Sequence, residues 1–256
     1  MTFSMNQRED QVFTVDEITA GEYFTCDVYA YQMADEITAS FTYKQDNETK
    51  TLTDTYSVKQ YLDELKGDEY SDKALALVNA TRAYGHFVQP YLARLNGWTV
   101  GEKYAAMDYD GTVNVAAAAS GAANYAHSVS MSDAVKSAKY RLLLNADTSM
   151  FVEVRLKEAP AGTVTMTVGG KTRTPTVSGT AYRVEIPNIP AFFLGRKLAV
   201  ALKDGDTTVF DFSASPMSYV RTVLTQGGAP EDEQQALAAL YHYYAAAKAY
   251  ADSMSN

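Results

Sequence analysis

The sequence predicts an α+β protein made of two repeated units, each with antiparallel, sandwich-like strands followed by two helices. Three observations predict this class. Hydrophobic residues alternate with polar ones in several short segments, they then recur at helical spacing in longer segments, and this order of segments occurs twice. The chain has 256 residues, of which 46% are hydrophobic, so it can bury a sizeable core.

The first unit opens with a segment of strict alternation. In residues 22–32, Phe24, Cys26 and Val28 share one face, and tyrosines share the other. This period of two predicts a strand. Because Cys26 lies on the apolar face, we expect its thiol to be buried and unpaired.

A hairpin and a short helix are expected next. Residues 35–43 alternate like a strand, and the turn sequence DNET, which begins at Asp46, leads into a further strand. Ser57 and Gln60 then form the capping-box pattern that starts a helix. Gly67 is expected to end this helix.

The second helix is longer and contains a proline. Its apolar residues recur at helical spacing from about Asp72 onward. Pro90 lies inside this pattern. Because proline lacks the N–H that would bond to the carbonyl of His86, we expect a kink or a break there.

The same order of turn, cap and helix returns in the second half of the chain. The residues that correspond are Asp46 with Asp204, Thr49 with Thr207, Ser57 with Ser215, Tyr61 with Tyr219, Tyr84 with Tyr243 and Tyr91 with Tyr250. We therefore predict a duplication. The paired tyrosines are expected in the core, because both copies keep the residue type.

The second copy also carries strands that the first copy lacks. Alternating segments at residues 140–156 and 162–177 precede its hairpin, and their counterparts would lie before Met1. We therefore expect the first copy to be clipped at its N-terminus, in a chain cut from a longer protein. The predicted domains are a first α+β unit, an Ala-, Ser- and Gly-rich linker and a second α+β unit, at residues 1–98, 99–138 and 139–256.

Charge and composition exclude several kinds of partner. The net charge is −9 and the pI is near 4.8, which argues against nucleic acid and anionic membrane surfaces. No apolar run is long enough to span a bilayer, so no membrane insertion is expected. The opening MTFSMNQRED lacks the basic and apolar regions of a signal peptide. The single cysteine excludes an internal disulfide.

No motif for catalysis, cofactor binding or metal binding stands out. His86, His127 and His242 do not have the spacings of a zinc site. DYDGT, at Asp108, resembles the start of a calcium loop but lacks its closing glutamate. No P-loop, GxSxG or GxGxxG is present. We therefore expect no enzymatic activity, no cofactor and no metal, although residues distant in sequence can still form a triad in space.

Several segments together resemble a known module. YQMADEITASF, YSVKQYL and LVNATRAYG in the first half, and SPMSYVRTVL with ALYHYYAAAKAYAD in the second, are similar to a duplicated module of large wall-attached surface proteins of anaerobic gut Clostridia. The resemblance covers most of the chain, and Pro90 departs from its pattern. It implies an extracellular, cell-surface location and a non-enzymatic role.

Aromatic residues that differ between the copies are the candidate binding residues. They are Tyr29, Tyr31, Trp98, Tyr241 and Tyr244, because Tyr and Trp often anchor protein interfaces. The alternative is that these rings pack between the two units. The predicted function is adhesion to an extracellular protein or glycan, such as mucin, a host glycoprotein or a secreted immunoglobulin. Two other hypotheses stay open: a carbohydrate-binding module, and a structural spacer without a ligand.

Overall fold

A computed structural model gives the fold of the chain. The residues that it describes are 1–14, 23–145, 147–160 and 162–255. They contain five α-helices and three antiparallel sheets, with 33% helix and 31% strand, which confirms the α+β class. The chain divides into two compact units, Met1–Gly111 and Thr112–Asn256.

The first unit contains a four-stranded antiparallel sheet. Its order across the sheet is β2-β1-β3-β4, and the strands are β1 (Thr2–Met5), β2 (Gln11–Val12), β3 (Ile37–Gln45) and β4 (Glu48–Tyr56). The β3–β4 hairpin turns where the sequence predicts, at Asp46 and Asn47, whose φ angles are 51° and 64°. Asp and Asn tolerate this left-handed conformation better than most residues, so they fix the register of the hairpin.

A short helix, α1 (Val58–Glu64), follows the hairpin. The Ser57 hydroxyl accepts a hydrogen bond from the Gln60 amide at 3.1 Å, which is the hydroxyl half of the predicted capping box. Leu62 is the buried residue of this helix. With so little apolar surface of its own, α1 depends on the cap and on packing for its stability.

The long helix α2 (Asp72–Asn96) begins at the predicted place and buries one face, including Val88 and Leu92. It ends at Gly97, whose φ of 69° gives the left-handed cap that glycine favours. The expected break at Pro90 is absent, because the helix continues through the proline. Pro90 is exposed, so water can bond to the carbonyl that loses its donor.

The first predicted strand is not formed at residues 23–29. Residues 23–28 alternate in burial with the predicted phase, and Phe24, Cys26 and Val28 are half-buried. They pair, however, with no strand in the described part of the chain, and Ala30–Gln32 forms a 3-10 turn. A segment becomes a strand only where a neighbour supplies hydrogen bonds. The predicted burial of Cys26 is wrong for the same reason, since its thiol is only half-buried.

The second unit begins with a helix and continues with a four-stranded and a five-stranded antiparallel sheet. In chain order these elements are α3 (Val115–Ala122), β5 (Ser128–Met131), β6 (Val135–Leu143), β7 (Ser149–Leu156), β8 (Val164–Val168), β9 (Lys171–Arg173), β10 (Thr176–Ser178), β11 (Ala181–Ile186), β12 (Leu198–Asp204) and β13 (Thr207–Ala214). The strand orders are β10-β11-β7-β6 and β5-β13-β12-β8-β9.

The two sheets of the second unit share one core and form a sandwich. Val152 and Val154 from one sheet, and Leu202 and Phe210 from the other, are fully buried in it. Alternate residues of the central strands point inward, such as Val152 and Val154 on β7 and Val200 and Leu202 on β12. Two helices, α4 (Pro216–Gln226) and α5 (Glu231–Met254), follow the last strand, in the predicted order.

The first unit has part of this arrangement. β1 and β2 lie beside β3 as β8 and β9 lie beside β12, so the prediction that the hairpin of residues 162–177 has no counterpart is wrong. β6 and β7 have no equivalent among the described residues of the first unit. The described residues of the first unit therefore contain a single sheet, and those of the second unit contain two.

The predicted linker at residues 99–138 is instead largely structured. It contains α3, β5 and the start of β6, and β5 pairs with β13 from Ser128 to Met131. Asn114 caps α3 by accepting from the Ala117 amide at 2.9 Å, and Ala118 is fully buried. The alanine-rich segment has the composition of a linker because it lacks large apolar residues, but its small side chains allow close helix packing. The division between the two units falls after Gly111, which lies within residues 99–138.

Some local geometry is the same in both units. The amide of Lys59 donates to the carbonyl of Met33 at 2.7 Å, and the amide of Met217 donates to the carbonyl of Leu194 at 3.1 Å. Met33 and Leu194 both have φ −59° and ψ −22°. The serines before α1 and α4 both cap their helices.

The paired tyrosines, in contrast, differ in environment. Tyr84 is buried as predicted, but Tyr243 is half-buried. The prediction that Tyr61 lies in the core is wrong, because it is 53% exposed. Tyr219, its partner, is half-buried because its ring packs 5.9 Å from that of Tyr140 on β6, a strand without an equivalent in the described first unit.

Candidate functional site

Three of the predicted binding residues meet in the first unit. Tyr29, Tyr31 and Trp98 lie together with Tyr104, and we call these four residues the aromatic cluster. Ring centroids are 5.7 Å apart for Tyr29 and Tyr31, 6.2 Å for Tyr31 and Trp98, 4.8 Å for Tyr31 and Tyr104, and 5.1 Å for Trp98 and Tyr104. Tyr104 is buried and the other three are half-buried. The cluster therefore offers partly exposed rings on a buried base.

Two cations flank the aromatic cluster. The guanidinium of Arg8 lies 4.2 Å from the ring centroid of Tyr29, and the ammonium of Lys103 lies 5.4 Å from that of Tyr104. The Arg8 guanidinium also donates to the Asp27 carbonyl. Cations over ring faces orient the rings and leave positive charge at the rim. Two cations therefore lie at the edge of the cluster, although the net charge of the chain is negative.

A buried amide holds the segments of the aromatic cluster together. Gln89, which is 1% exposed, donates from Nε2 to the carbonyls of Tyr31 and Ala105, both at 2.8 Å. Its Oε1 accepts from the Met107 amide at 3.0 Å. The Nδ1 of His86 lies 2.7 Å from the Met107 carbonyl, and donates to it in the matching tautomer. One side chain on α2 therefore fixes both the turn with Tyr31 and the loop with Tyr104.

Burial also sets the electrostatics of this region. It raises the pKa of Tyr31 to about 12, and the neighbouring Tyr104 adds to the increase. Burial likewise raises the pKa of Asp35, against the effect of the Ala105 amide, which donates to Asp35 Oδ1 at 2.6 Å. The phenol of Tyr31 therefore keeps its proton well into the alkaline range, and its hydrogen bond with Tyr104 contributes to the raised pKa.

The other two predicted residues lie in the second unit and differ from each other. Tyr244 is buried, and its hydroxyl lies 2.8 Å from that of Tyr125, so its place on a binding surface was predicted wrongly. Its ring fills the space beside Gly195, where a Cβ would collide with it. Tyr241 is half-buried and lies against Gly121.

Sequence reasoning missed several residues of interest. Tyr104 was overlooked because it lies in the predicted linker. Phe192 and Phe193 were also missed: both are exposed, their ring centroids are 4.2 Å apart, and Arg196 lies 5.7 Å from the ring of Phe193. Two prolines just before this pair signal a tight turn that cannot bury both rings.

The described residues contain no group of three or more His, Cys, Asp or Glu side chains placed to hold a metal ion. No helix among them combines the length and apolarity needed to cross a membrane. A small cavity of ≈ 130 Å³, lined by His127, Met131, Tyr140 and Phe212 among others, lies in the second unit. It is smaller than ordinary ligand sites, which measure about 300–1,000 Å³.

Comparisons with known proteins give no relative. No protein-family model, curated protein or solved structure matches the chain. The function is therefore argued from the geometry of the two units.

Proposed function

We propose that this chain is a non-enzymatic binding module that recognises another polypeptide through the aromatic cluster. The observation that carries the proposal is the grouping of Tyr29, Tyr31 and Trp98 as half-buried rings over Tyr104. Trp, Tyr and Arg are the residues most often responsible for binding energy at protein interfaces. The aromatic cluster contains Trp and Tyr, and Arg8 beside Tyr29 adds the third of these residue types.

Rigidity supports the same proposal. The hydrogen bonds of Gln89 fix the backbone on both sides of the cluster before any ligand arrives. A surface that is already ordered loses less entropy on binding. The rings are also tilted by 44° to 78° instead of forming a flat platform, which suits an irregular protein surface better than a sugar ring.

The cations at the rim suggest the charge of the ligand. Arg8 and Lys103 would attract a surface that carries carboxylates. A host glycoprotein or a secreted immunoglobulin is the partner that an extracellular setting makes available. We also propose, on the sequence resemblance, that the chain is exported and attached to a cell surface. Its duplication is a further part of this proposal, supported by the capped helices and by the Met33 and Leu194 geometry.

One observation favours carbohydrate as a second candidate. Phe41 and Tyr43 lie on one exposed face of the first sheet, with ring centroids 5.6 Å apart and planes only 17° apart. Two nearly parallel rings on a sheet can stack on a sugar. A protein ligand would bind the aromatic cluster and a sugar would bind Phe41 and Tyr43, so substitutions at the two places can distinguish the two ligands.

The test measures binding of the whole chain to purified secreted immunoglobulin and mucin, and to a glycan array. If the proposal is right, Trp98→Ala and Tyr31→Ala weaken protein binding by at least thirtyfold, about 2 kcal/mol, and leave the circular dichroism spectrum unchanged. Tyr61→Ala is the matched control, because Tyr61 is exposed and lies outside the cluster. Glycan binding that is lost in Phe41→Ala but kept in Trp98→Ala would support carbohydrate instead. Protein binding that survives both cluster substitutions would refute the proposal.

A further inference from the structure

The first unit has an apolar sheet face that is open, although its equivalent in the second unit is closed. Phe41 on β3 lies opposite Leu52 on β4, and Leu202 on β12 lies opposite Phe210 on β13. Both pairs sit near the turn of the corresponding hairpin. Leu202 and Phe210 are 0% and 1% exposed, but Phe41 and Leu52 are 39% and 61% exposed.

Further side chains extend this open face. Tyr43 stacks on Phe41, and Tyr56, opposite Ile37, is also exposed. We call Phe41, Tyr43, Leu52 and Tyr56 the open face. Contiguous exposed apolar side chains of this kind usually mark an interaction surface.

Residues 23–28 have the alternation of a strand but no strand partner among the described residues. Residues 23–28 precede the 3-10 turn Ala30–Gln32, as β11 precedes the 3-10 turn Ala191–Phe193. β11 is bonded to β10 on one side and to β7 on the other. Residues 23–28 have the same alternation in burial, yet their backbone pairs with no strand among the described residues. Unpaired backbone of this kind is a template for an added strand.

We propose that the first unit is completed by a β-hairpin donated by another polypeptide, which pairs with residues 23–28 and covers the open face. This site adjoins the aromatic cluster at Arg8, whose guanidinium donates to the Asp27 carbonyl, but it uses other side chains and does not depend on the proposed function. The second unit supplies the precedent, because its β6–β7 hairpin does both tasks within one chain: β7 pairs with β11, and Val152 and Val154 close the core over β12 and β13.

The precedent also defines the chemistry of the donor. On β7, Met150, Val152 and Val154 face the core, opposite Ile186, Val184 and Tyr182 of β11. The donor strand must therefore be antiparallel to residues 23–28 and apolar at every second position. Phe24, Cys26 and Val28 would then take the places of Tyr182, Val184 and Ile186.

A carboxylate on the first sheet adds a requirement for charge. Asp54 lies opposite Ala39, whereas Phe212 lies opposite Val200 at the corresponding place in the second unit. In the second unit the ring of Tyr140 on β6 packs 4.9 Å from that of Phe212. Covering Asp54 with a tyrosine would leave a carboxylate without a cation, which is costly when it is buried. The donor hairpin should therefore carry Arg or Lys where β6 has Tyr140.

The test adds a synthetic peptide of residues 135–156 carrying Tyr140→Arg to the full chain. Cys26, the single cysteine, is the reporter, because its thiol is free and half-buried and would become buried when the donor binds, which would slow its reaction with a maleimide. We expect a saturable decrease in the labelling rate of at least tenfold. The amides of residues 23–28 should gain protection from hydrogen exchange, and those of β11 should not change.

Matched variants identify the contacts. The peptide without Tyr140→Arg should bind about fivefold more weakly, because it lacks the charge-assisted contact with Asp54. A peptide with Val152→Asp and Val154→Asp should not protect Cys26. Phe41→Asp with Leu52→Asp in the full chain should abolish protection by the original peptide. These two positions are exposed, so the variant is expected to fold, which circular dichroism checks.

A tethered form of the hairpin keeps the test decisive if the free peptide folds poorly. The same hairpin, joined to the chain ahead of Met1 by a flexible linker, has an effective concentration in the millimolar range. It should protect Cys26 and raise the thermal midpoint of the first unit.

If neither the free nor the tethered hairpin protects Cys26, or if protection survives Phe41→Asp with Leu52→Asp, the proposal is overturned. Glycan binding that Phe41→Ala abolishes would also overturn it, and would assign the open face to carbohydrate. Trp98→Ala should leave Cys26 protection intact, so this result and that of the proposed function are independent.

Discussion

Replacing Gln89 with leucine removes the hydrogen bonds that hold the aromatic cluster, while it keeps a side chain of similar size. Three backbone groups lose their partner: the carbonyls of Tyr31 and Ala105 and the amide of Met107. Water cannot easily replace the amide, because Gln89 is 1% exposed. Each buried group left unpaired costs about 1–3 kcal/mol.

The expected loss follows from these contacts. Three unpaired groups at about 1.5 kcal/mol each, partly offset by the greater hydrophobicity of leucine, lower the unfolding free energy of the first unit by about 3 kcal/mol. The loop with Tyr104 and the turn with Tyr31 should also separate. The side chain of Trp98, which contacts both tyrosines, would then become more exposed to water.

Urea unfolding followed by Trp98 fluorescence measures both effects, since Trp98 is the single tryptophan. We expect a lower midpoint and a red-shifted emission of the folded variant. Gln60→Leu is the control, because Gln60 is exposed on α1, and it should change stability by less than about 0.5 kcal/mol. An unchanged midpoint and emission in Gln89→Leu would refute the assignment of Gln89 as the group that holds the cluster.

Three further predictions concern packing and pH. Leu202→Ala should destabilise the second unit by about 2–5 kcal/mol, because Leu202 is fully buried. Phe41→Ala should destabilise the first unit much less, because Phe41 is exposed. Equal losses in thermal unfolding would show that the face of Phe41 is covered. Gly195→Ala should destabilise the second unit by about 1–3 kcal/mol, since the new methyl group meets the buried Tyr244. Gly121→Ala should destabilise it less, because the half-buried Tyr241 can move outward. The reverse order of these two losses in urea unfolding would contradict this reasoning. The pKa of Tyr31 is raised from 10.0 to about 12, so the first unit should keep its stability below pH 10 and lose it as the pH rises toward 12, because the unfolded chain ionises first. Tyr31→Phe should flatten this loss, and an identical pH profile for both proteins would exclude Tyr31 as its source.

Local patterns in the sequence predicted the parts of the fold that local interactions determine. The hairpin turn at Asp46, the cap at Ser57 and the start of α2 near Asp72 all lie where the sequence indicates. In each case neighbouring residues supply the deciding interaction, either a tolerated left-handed φ angle or a side-chain cap.

Elements that depend on distant partners could not be predicted in this way. Residues 23–29 have the alternation of a strand but no strand to bond with, and Ala118 in α3 is buried only because other helices of the second unit pack against it. Pro90 was expected to kink or break α2, but the helix continues through it, because its exposed position makes the missing donor tolerable.

The candidate site was predicted in part for the same reason. Tyr29, Tyr31 and Trp98 were selected by residue type and do meet in space. Tyr104, which joins them, is separated from Tyr31 by most of the first unit, and only the fold brings the two rings together. Tyr244 was selected by the same criterion but is buried against Tyr125.

The pairing of β5 with β13 sets an order for the folding of the chain. Met131 lies opposite Phe210, and Ser128 opposite Ser213, so the five-stranded sheet joins segments that are made far apart in time during synthesis. β3 and β4, in contrast, join through adjacent residues and can pair as soon as both have left the ribosome. Contacts between distant segments form more slowly because a long loop must close first. β5 must therefore remain unpaired until the end of β13 is complete, and after dilution from urea the fluorescence of Trp98 should recover before the β-sheet signal of the whole chain does.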